Sequence, residues 1–255
     1  MLAICRSKSL LRAAASCAAV LCASAAGAGE KPQAYEVNAG FDAVPQSLAW
    51  YTEAIAALNR DIAKDGFLLR TYGSLAAYQY ANPVPTGGTI NGQLWQLDLM
   101  PGYQIVRGAS TLGGFVGLDY QESSLHPEDP TNPLRGTAIG VKVEGHYFFS
   151  DEKQPLDAML VGEYSTAFAT YYAELRVGAR ICDKLVIGPD ASVDGDTGYD
   201  AQRLGGYAKY SFEPSTGVSA ELTLLGGHQF VSGAGSTGFG GGAGTYGTIE
   251  ISTNF

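Results

Sequence analysis

Along most of this chain apolar and polar residues alternate at period two, in segments of roughly nine to fourteen residues separated by turn formers. At the C-terminus Ile249, Ile251, Thr253 and Phe255 share one face, while Glu250, Ser252 and Asn254 share the other. Residues 136–149 set Ile139, Val141, Val143, Tyr147 and Phe149 against Lys142, Glu144 and His146. Residues 93–107 and 171–181 repeat the pattern, with Trp95, Leu97 and Leu99 opposing Asp98, and Leu175 and Val177 opposing Glu174, Arg176 and Arg180. The whole chain divides into twelve expected strands: 35–43, 47–57, 66–80, 93–107, 111–121, 136–149, 157–168, 171–181, 184–193, 201–212, 217–229 and 244–255. One of them conflicts with its own pattern. Leu48, Tyr51, Ile55, Leu58 and Ile62 have helical spacing and sit among alanines, so 47–57 is read as strand mainly to keep the count even.

An even count suits a barrel with both termini on one side, and the connections alternate accordingly. Residues 81–92, 122–135, 194–200 and 230–243 are long or rich in glycine and proline, whereas 108–110, 182–183 and 213–216 are short. Aromatic residues on the apolar faces gather at both strand ends. Trp50, Trp95, Tyr120, Tyr164, Phe168 and Tyr171 fall at one end, and Tyr35, Tyr103, Tyr147, Phe149, Tyr210, Phe212 and Phe255 at the other. Two such girdles belong at the two membrane–water interfaces. The expected fold is therefore all-β, an up-and-down antiparallel transmembrane β-barrel of twelve strands, forming one domain over residues 29–255. A soluble sandwich or lipocalin-like barrel is the alternative, and would turn those rings into its core.

The first 28 residues read differently. Arg6, Lys8 and Arg12 precede an apolar run at 13–23, no acidic residue occurs before Glu30, and Ala26-Gly27-Ala28 fits a small-x-small cleavage site. We read 1–28 as a signal peptide that is removed, and the destination as the bacterial outer membrane. Leu21 before Cys22 does not fit a lipoprotein signal, and removal of the leader leaves Cys182 as the lone cysteine, so disulfides hold nothing together. No later apolar stretch approaches 20 residues, which excludes a helical membrane protein. Composition agrees: charged residues are 16%, glycines number 34 and tyrosines 15, a profile foreign to coiled coils and charged disordered tails. The net charge of −9 has the wrong sign for a nucleic-acid partner.

Candidate chemistry concentrates on the polar face. Glu53, Arg70, Asp98, Asp119, Lys142, Glu144, Glu163, Glu174, Arg176, Arg180, Asp190, Arg203, Lys209 and Glu221 would point into the lumen, either pairing with one another to fill it or lining a conduit. Inward Tyr72, Tyr78, Phe115, Tyr172 and Tyr207 would be either core filler or stacking platforms for a sugar chain. With Asp98, Glu144, Arg176 and Arg203 they form the candidate lumen and glucan-contacting set. Ile249, Ile251 and Phe255 form a candidate assembly signal, since a last strand ending in an aromatic resembles what barrel-assembly machinery reads. Catalysis is not expected. After the leader the only histidines are His126, His146 and His228; none has a serine at a telling spacing, and G-x-S-x-G is absent. The glycine-rich run 231–247 lacks a phosphate-loop pattern, so no cofactor is expected. The acidic stretch Asp190 to Asp196 lacks EF-hand spacing and reads as a solvated hairpin tip rather than a calcium or other metal site.

Several stretches together resemble one family. Asp65-Gly-Phe-Leu-Leu-Arg70, Gly102-Tyr-Gln104, Gly117-Leu-Asp-Tyr-Gln121, the run DPTNPLRGTAIGVKVEG from Asp129 to Gly145, Tyr164-Ser-Thr-Ala-Phe168, Ile187-Gly-Pro-Asp190 and Arg203-Leu-Gly-Gly206 are similar to the cellulose biosynthesis protein BcsS family. The resemblance implies an outer-envelope β protein associated with bacterial cellulose production, and carries no catalytic residues. The expected function is accessory and passive: a barrel whose lumen or outer loops contact or guide glucan during exopolysaccharide synthesis or secretion. Expected partners are outer-membrane lipid, barrel-assembly machinery, and cellulose or cellulose-synthase components. A small general porin and a plugged structural barrel with partner-binding loops are the alternatives.

Overall fold

A computed structural model describes residues 32–81, 88–151, 154–232 and 241–255; the leader therefore lies outside the described residues. Twelve strands follow in chain order: β1 (Tyr35–Val44), β2 (Ser47–Ala57), β3 (Gly66–Ala81), β4 (Thr89–Arg107), β5 (Ser110–His126), β6 (Gly136–Ser150), β7 (Leu156–Ser165), β8 (Tyr171–Cys182), β9 (Leu185–Asp196), β10 (Tyr199–Ser215), β11 (Val218–Ser232) and β12 (Gly244–Asn254). Each pairs antiparallel with its sequence neighbour, and β12 pairs with β1 to close the barrel. Closure continues to the last residue: the Phe255 N–H donates to the Tyr35 carbonyl at 3.0 Å, and the Phe255 carbonyl accepts from Ala34 and Tyr35 at 2.9 Å.

The period-two pattern explains which way the sheet curls. Leu97, Leu99, Leu118, Ile139 and Leu204 are each more than half exposed on the outside, while their polar neighbours Asp98, Asp119 and Lys142 are nearly inaccessible inside. Such an exterior is far more apolar than water-solvated protein tolerates, and is suited to lipid. Trp50, Trp95, Tyr120 and Tyr164 face outward towards the end opposite the termini; Tyr35, Tyr103, Tyr147 and Tyr210 face outward at the termini end. Closing the sheet removes every open edge along the paired staves, which an unpaired ladder in lipid could not survive.

The doubtful segment is strand throughout 47–57. Its helical spacing arises because both faces are apolar: Leu48 points outward at 51% exposure, while Ile55 packs inward on Ala57, Leu68, Met100 and Phe115. Tertiary pairing with β1 and β3 on both sides overrides the local alanine preference.

Several boundaries differ from expectation. β4 begins at Thr89 and β5 runs to His126, so much of the expected loops 81–92 and 122–135 is strand. β9 runs to Asp196 and β10 starts at Tyr199, so 194–200 is a tight hairpin and the Asp190–Asp196 stretch is strand rather than a solvated tip. β7 stops at Ser165, and Phe168 lies in the following turn, where it and Ala169 adopt left-handed φ of 51° and 53°. The link from β2 to β3 is longer than the other turns at the termini end, and it folds inward beneath the barrel.

Candidate functional site

Ion pairs knit the lumen together, and each involves side chains that alternation sends to the same face. On the β3–β6 wall the Arg70 guanidinium pairs with Glu53 and, at 2.9 Å, with Glu144. Lys142 Nζ lies 2.8 Å from Asp98 and 3.0 Å from Glu163. Asp119 stands directly opposite Asp98 across β4 and β5 and accepts from Gln121 Nε2 at 2.7 Å. This wall is dry: Asp98, Asp119 and Gln121 are at most 1% exposed. Burying these charges is tolerable only because the cations are multiply paired.

Three further cations organise the rest of the lumen. Arg176 on β8 grips Glu250 on β12 through both terminal nitrogens at 2.7 and 2.9 Å, and also pairs with Glu174 at 2.7 Å. Tyr51 donates to the same Glu250 at 2.7 Å, and Tyr246 to Asp190 at 2.8 Å. Arg203 on β10 grips Asp42 on β1 at 3.0 and 3.1 Å and donates to Gln229 at 2.7 Å. Lys209 binds both oxygens of Asp157 at 2.9 and 3.0 Å. Apart from Arg176–Glu174 within β8 and Arg203–Gln229 between paired strands, these contacts join strands two to four positions apart in the closed sheet, so they brace the lumen beyond the backbone ladder.

The expected aromatic set splits in two. Tyr78 is 2% exposed, is stacked near Tyr80, and hydrogen-bonds Ser123. Phe115 fills the cluster beneath Arg70, and Tyr207 packs with Val44, Val186, Leu225 and Tyr246. Those three serve as filler. Tyr72 and Tyr172 remain half-buried in the lumen. Tyr72 lies 6.2 Å from Tyr51 in a stacked pair, with Lys142 5.2 Å over its ring. Asp98, Glu144, Arg176 and Arg203 all face inward, engaged in the networks above. Tyr51, whose spacing in sequence is helical, and Glu36, Asp42, Asp157 and Glu250, which are not among the expected lumen residues, also face inward. Strict alternation through β1 and β12 was the signal that could have found Asp42 and Glu250.

Both ends are partly covered. At the far end loop 127–135 folds inward: Tyr80 donates to Asp129 and accepts from Asn132, each at 2.9 Å, and Leu134 is 1% exposed. Hydrogen bonds from Thr131 hold the Asp129 carboxyl below the usual carboxylate range. At the termini end Gln104 Nε2 donates to the Ile62 and Lys64 carbonyls at 2.6 and 2.9 Å, and the Ile62 N–H donates to the Gln33 carbonyl at 2.8 Å. Gln33 in turn reaches Ser219 at 3.1 Å, so this floor spans from β4 to β11.

On the last strand Ile249 and Ile251 point outward at 46% and 44% exposure, and Phe255 lies 5.7 Å from Tyr35 across the closing seam. Among the described histidines, His146 faces inward with Nδ1 3.4 Å from Glu144, and His228 packs edge-on to Phe230. Among the described residues no group of His, Cys, Asp or Glu is arranged to hold a metal ion.

The family model for cellulose biosynthesis protein BcsS matches residues 37–255, from the first strand to the last residue. The chain belongs to this family. Membership associates this BcsS-family barrel with cellulose biosynthesis. No curated protein matches the chain. Solved structures that align with it include a KdgM porin, at TM-score 0.40 and 9% identity over 86% of this chain and 99% of that one. A low-pH structure of Pseudomonas putida OprB aligns at TM-score 0.29 and 7% identity, over 88% of this chain and 92% of that one. A bacterial polysaccharide outer membrane secretin aligns at TM-score 0.30 and 12% identity, over 88% of this chain and 98% of that one.

Proposed function

We propose that this BcsS-family protein is a non-enzymatic outer-membrane barrel that assists cellulose synthesis or secretion passively, contacting or guiding glucan while other proteins drive polymerisation. The family match over residues 37–255 carries the reading. The inside-out distribution of apolar residues supports a place in the outer membrane, reached by means of the leader at 1–28 and the assembly signal at Ile249, Ile251 and Phe255. Half-buried Tyr72 and Tyr172 support direct contact with glucan, whose flat sugar faces stack on aromatic rings. The remaining candidates, Tyr78, Phe115 and Tyr207, support the shape of the lumen rather than a sugar surface. Removing the protein is expected to reduce or misplace extracellular cellulose while growth on simple sugars stays unchanged. Normal cellulose export in the deletion strain refutes the role, and a growth defect on small sugars would favour a general porin.

A second reading has its own observation. The inward loop at Tyr80, Asp129 and Asn132, and the floor at Gln104 and Ile62, suit a plugged barrel that works through its loops. That reading expects no ion conductance in planar bilayers, and cellulose loss when loop 127–135 is replaced.

A further inference from the structure

The two sides of the lumen differ in their contact with water. On β4, β5 and β6, Asp98, Met100, Asp119, Gln121 and Lys142 are at most 2% exposed. On β12, β1 and β2 the inward side chains stay half-buried at successive levels: Glu36, then the register pair Asn38 and Glu53, then Tyr51 and Glu250 on either side of Gly40, then Asp42. This strip climbs β1 for about 20 Å. Tyr72 stacks on Tyr51 at its middle, and half-buried Glu163, Tyr172 and Asp194 line other staves of the barrel.

Carboxylates outnumber cations here: Glu53, Glu250 and Asp42 of the strip are paired with Arg70, Arg176 and Arg203, whereas Glu36 and Asp196 have no ion pair among the described residues and Asp194 has only one at 4.0 Å. Both terminal nitrogens of Arg176 are spent on Glu250, and both of Arg203 on Asp42. Glu36 has only the Asn38 amide, at 2.9 Å, among its hydrogen bonds. Asp194 lies 4.0 Å from Arg203 and its Oδ1 accepts no hydrogen bond. Two residues further along β9, Asp196 is 8% exposed; its Oδ1 accepts from the Gly198 N–H at 2.8 Å and its Oδ2 has no hydrogen-bond partner. Surplus carboxylates in a low-dielectric wall focus a negative potential, and carboxylates accept hydrogen bonds from hydroxyl and ammonium groups but offer none.

We propose that this strip is a solute-binding surface that admits cationic and uncharged hydroxyl-bearing molecules, and turns away anionic ones such as uronic-acid chains. The inference rests on the reading of the protein as a membrane barrel with a polar lumen, and adds the class of solute.

Thiol labelling tests it without requiring flow through both ends. In a C182S background, which removes the exposed Cys182, S74C places a thiol on β3 opposite Tyr51, and Q121C places one on the dry wall. Refolded protein is treated with trimethylammonium-ethyl or sulfonato-ethyl methanethiosulfonate, with rates normalised to a free thiol. S74C is expected to react about tenfold faster with the cationic reagent, and Q121C with neither. E36Q combined with D194N, which breaks only the 4.0 Å contact of Asp194 with Arg203, is expected to bring the S74C ratio back towards unity. Equal rates at S74C, faster anionic labelling, no labelling there, or labelling of Q121C as fast as S74C would each overturn the proposal. A deletion strain with normal cellulose export would instead refute the cellulose role and leave these rates unchanged.

Discussion

Ile251→Arg against Ser252→Arg is the most demanding test of the face assignment, because the two positions differ by one residue and by opposite solvents. Ile251 points outward between Ala39 and Leu222, while Ser252 points inward between Asn38 and Glu221. Ile251 lies four residues from Phe255, which is about 13 Å along the strand at ~3.3 Å per residue. With a strand tilt near 40° that becomes about 10 Å along the membrane normal, close to the middle of an apolar band ~25 Å tall. An arginine on the lipid face at that depth costs roughly 2–4 kcal/mol. At about 1.36 kcal/mol per decade, the folding equilibrium falls roughly 30- to 900-fold. In the lumen an arginine at 252 meets Glu221 across the register, so Ser252→Arg is expected to cost far less. Both variants can be folded into lipid vesicles across a urea series, with the folded fraction read from heat-modifiable mobility on gels. Equal midpoints would refute the assignment of faces, and with it the lipid-solvated exterior.

Two other outcomes follow from the contacts. Arg70→Met leaves Glu53 and Glu144 buried without their shared cation, and is expected to cost about 3–5 kcal/mol in vesicle unfolding, as for other broken buried pairs; a loss under 1 kcal/mol would show that the wall is wetter than its burial indicates. The Asp129 carboxyl, lowered by its Thr131 hydrogen bonds, stabilises the inward loop at all pH values above the usual carboxylate range and loses that contribution only as pH falls through its lowered value. Amide exchange at 129–134 is therefore expected to stay slow through pH 5 and to quicken only in stronger acid; Asp129→Ala should quicken it at every pH, and unchanged exchange in that variant would refute the anchoring role.

Outside β2, alternation by itself determined the strands, their order and the face each residue takes, because a period of two leaves no freedom once one side must be apolar. β2, apolar on both faces, is read as strand from the even count rather than from alternation, whereas Asp98, Lys142 and Arg176 are placed inside by the alternation of the chain alone. Glu250 and Asp42 were legible in the same way. What only the tertiary structure decided is which inward residues meet. Arg176 and Glu250 are 74 positions apart, and Arg203 and Asp42 161 apart, so their pairing depends on where the barrel closes and how its staves are staggered. The division of the tyrosines has the same origin. Tyr78 and Tyr207 are filler because loops and neighbouring side chains close over them, whereas Tyr72, opposite Glu53 and stacked with Tyr51, stays half-buried beside a β1–β2 wall that is itself half-buried. Loop 127–135 is likewise polar in sequence, and turns inward where Tyr80, remote in the chain, offers Asp129 and Asn132 a buried hydroxyl.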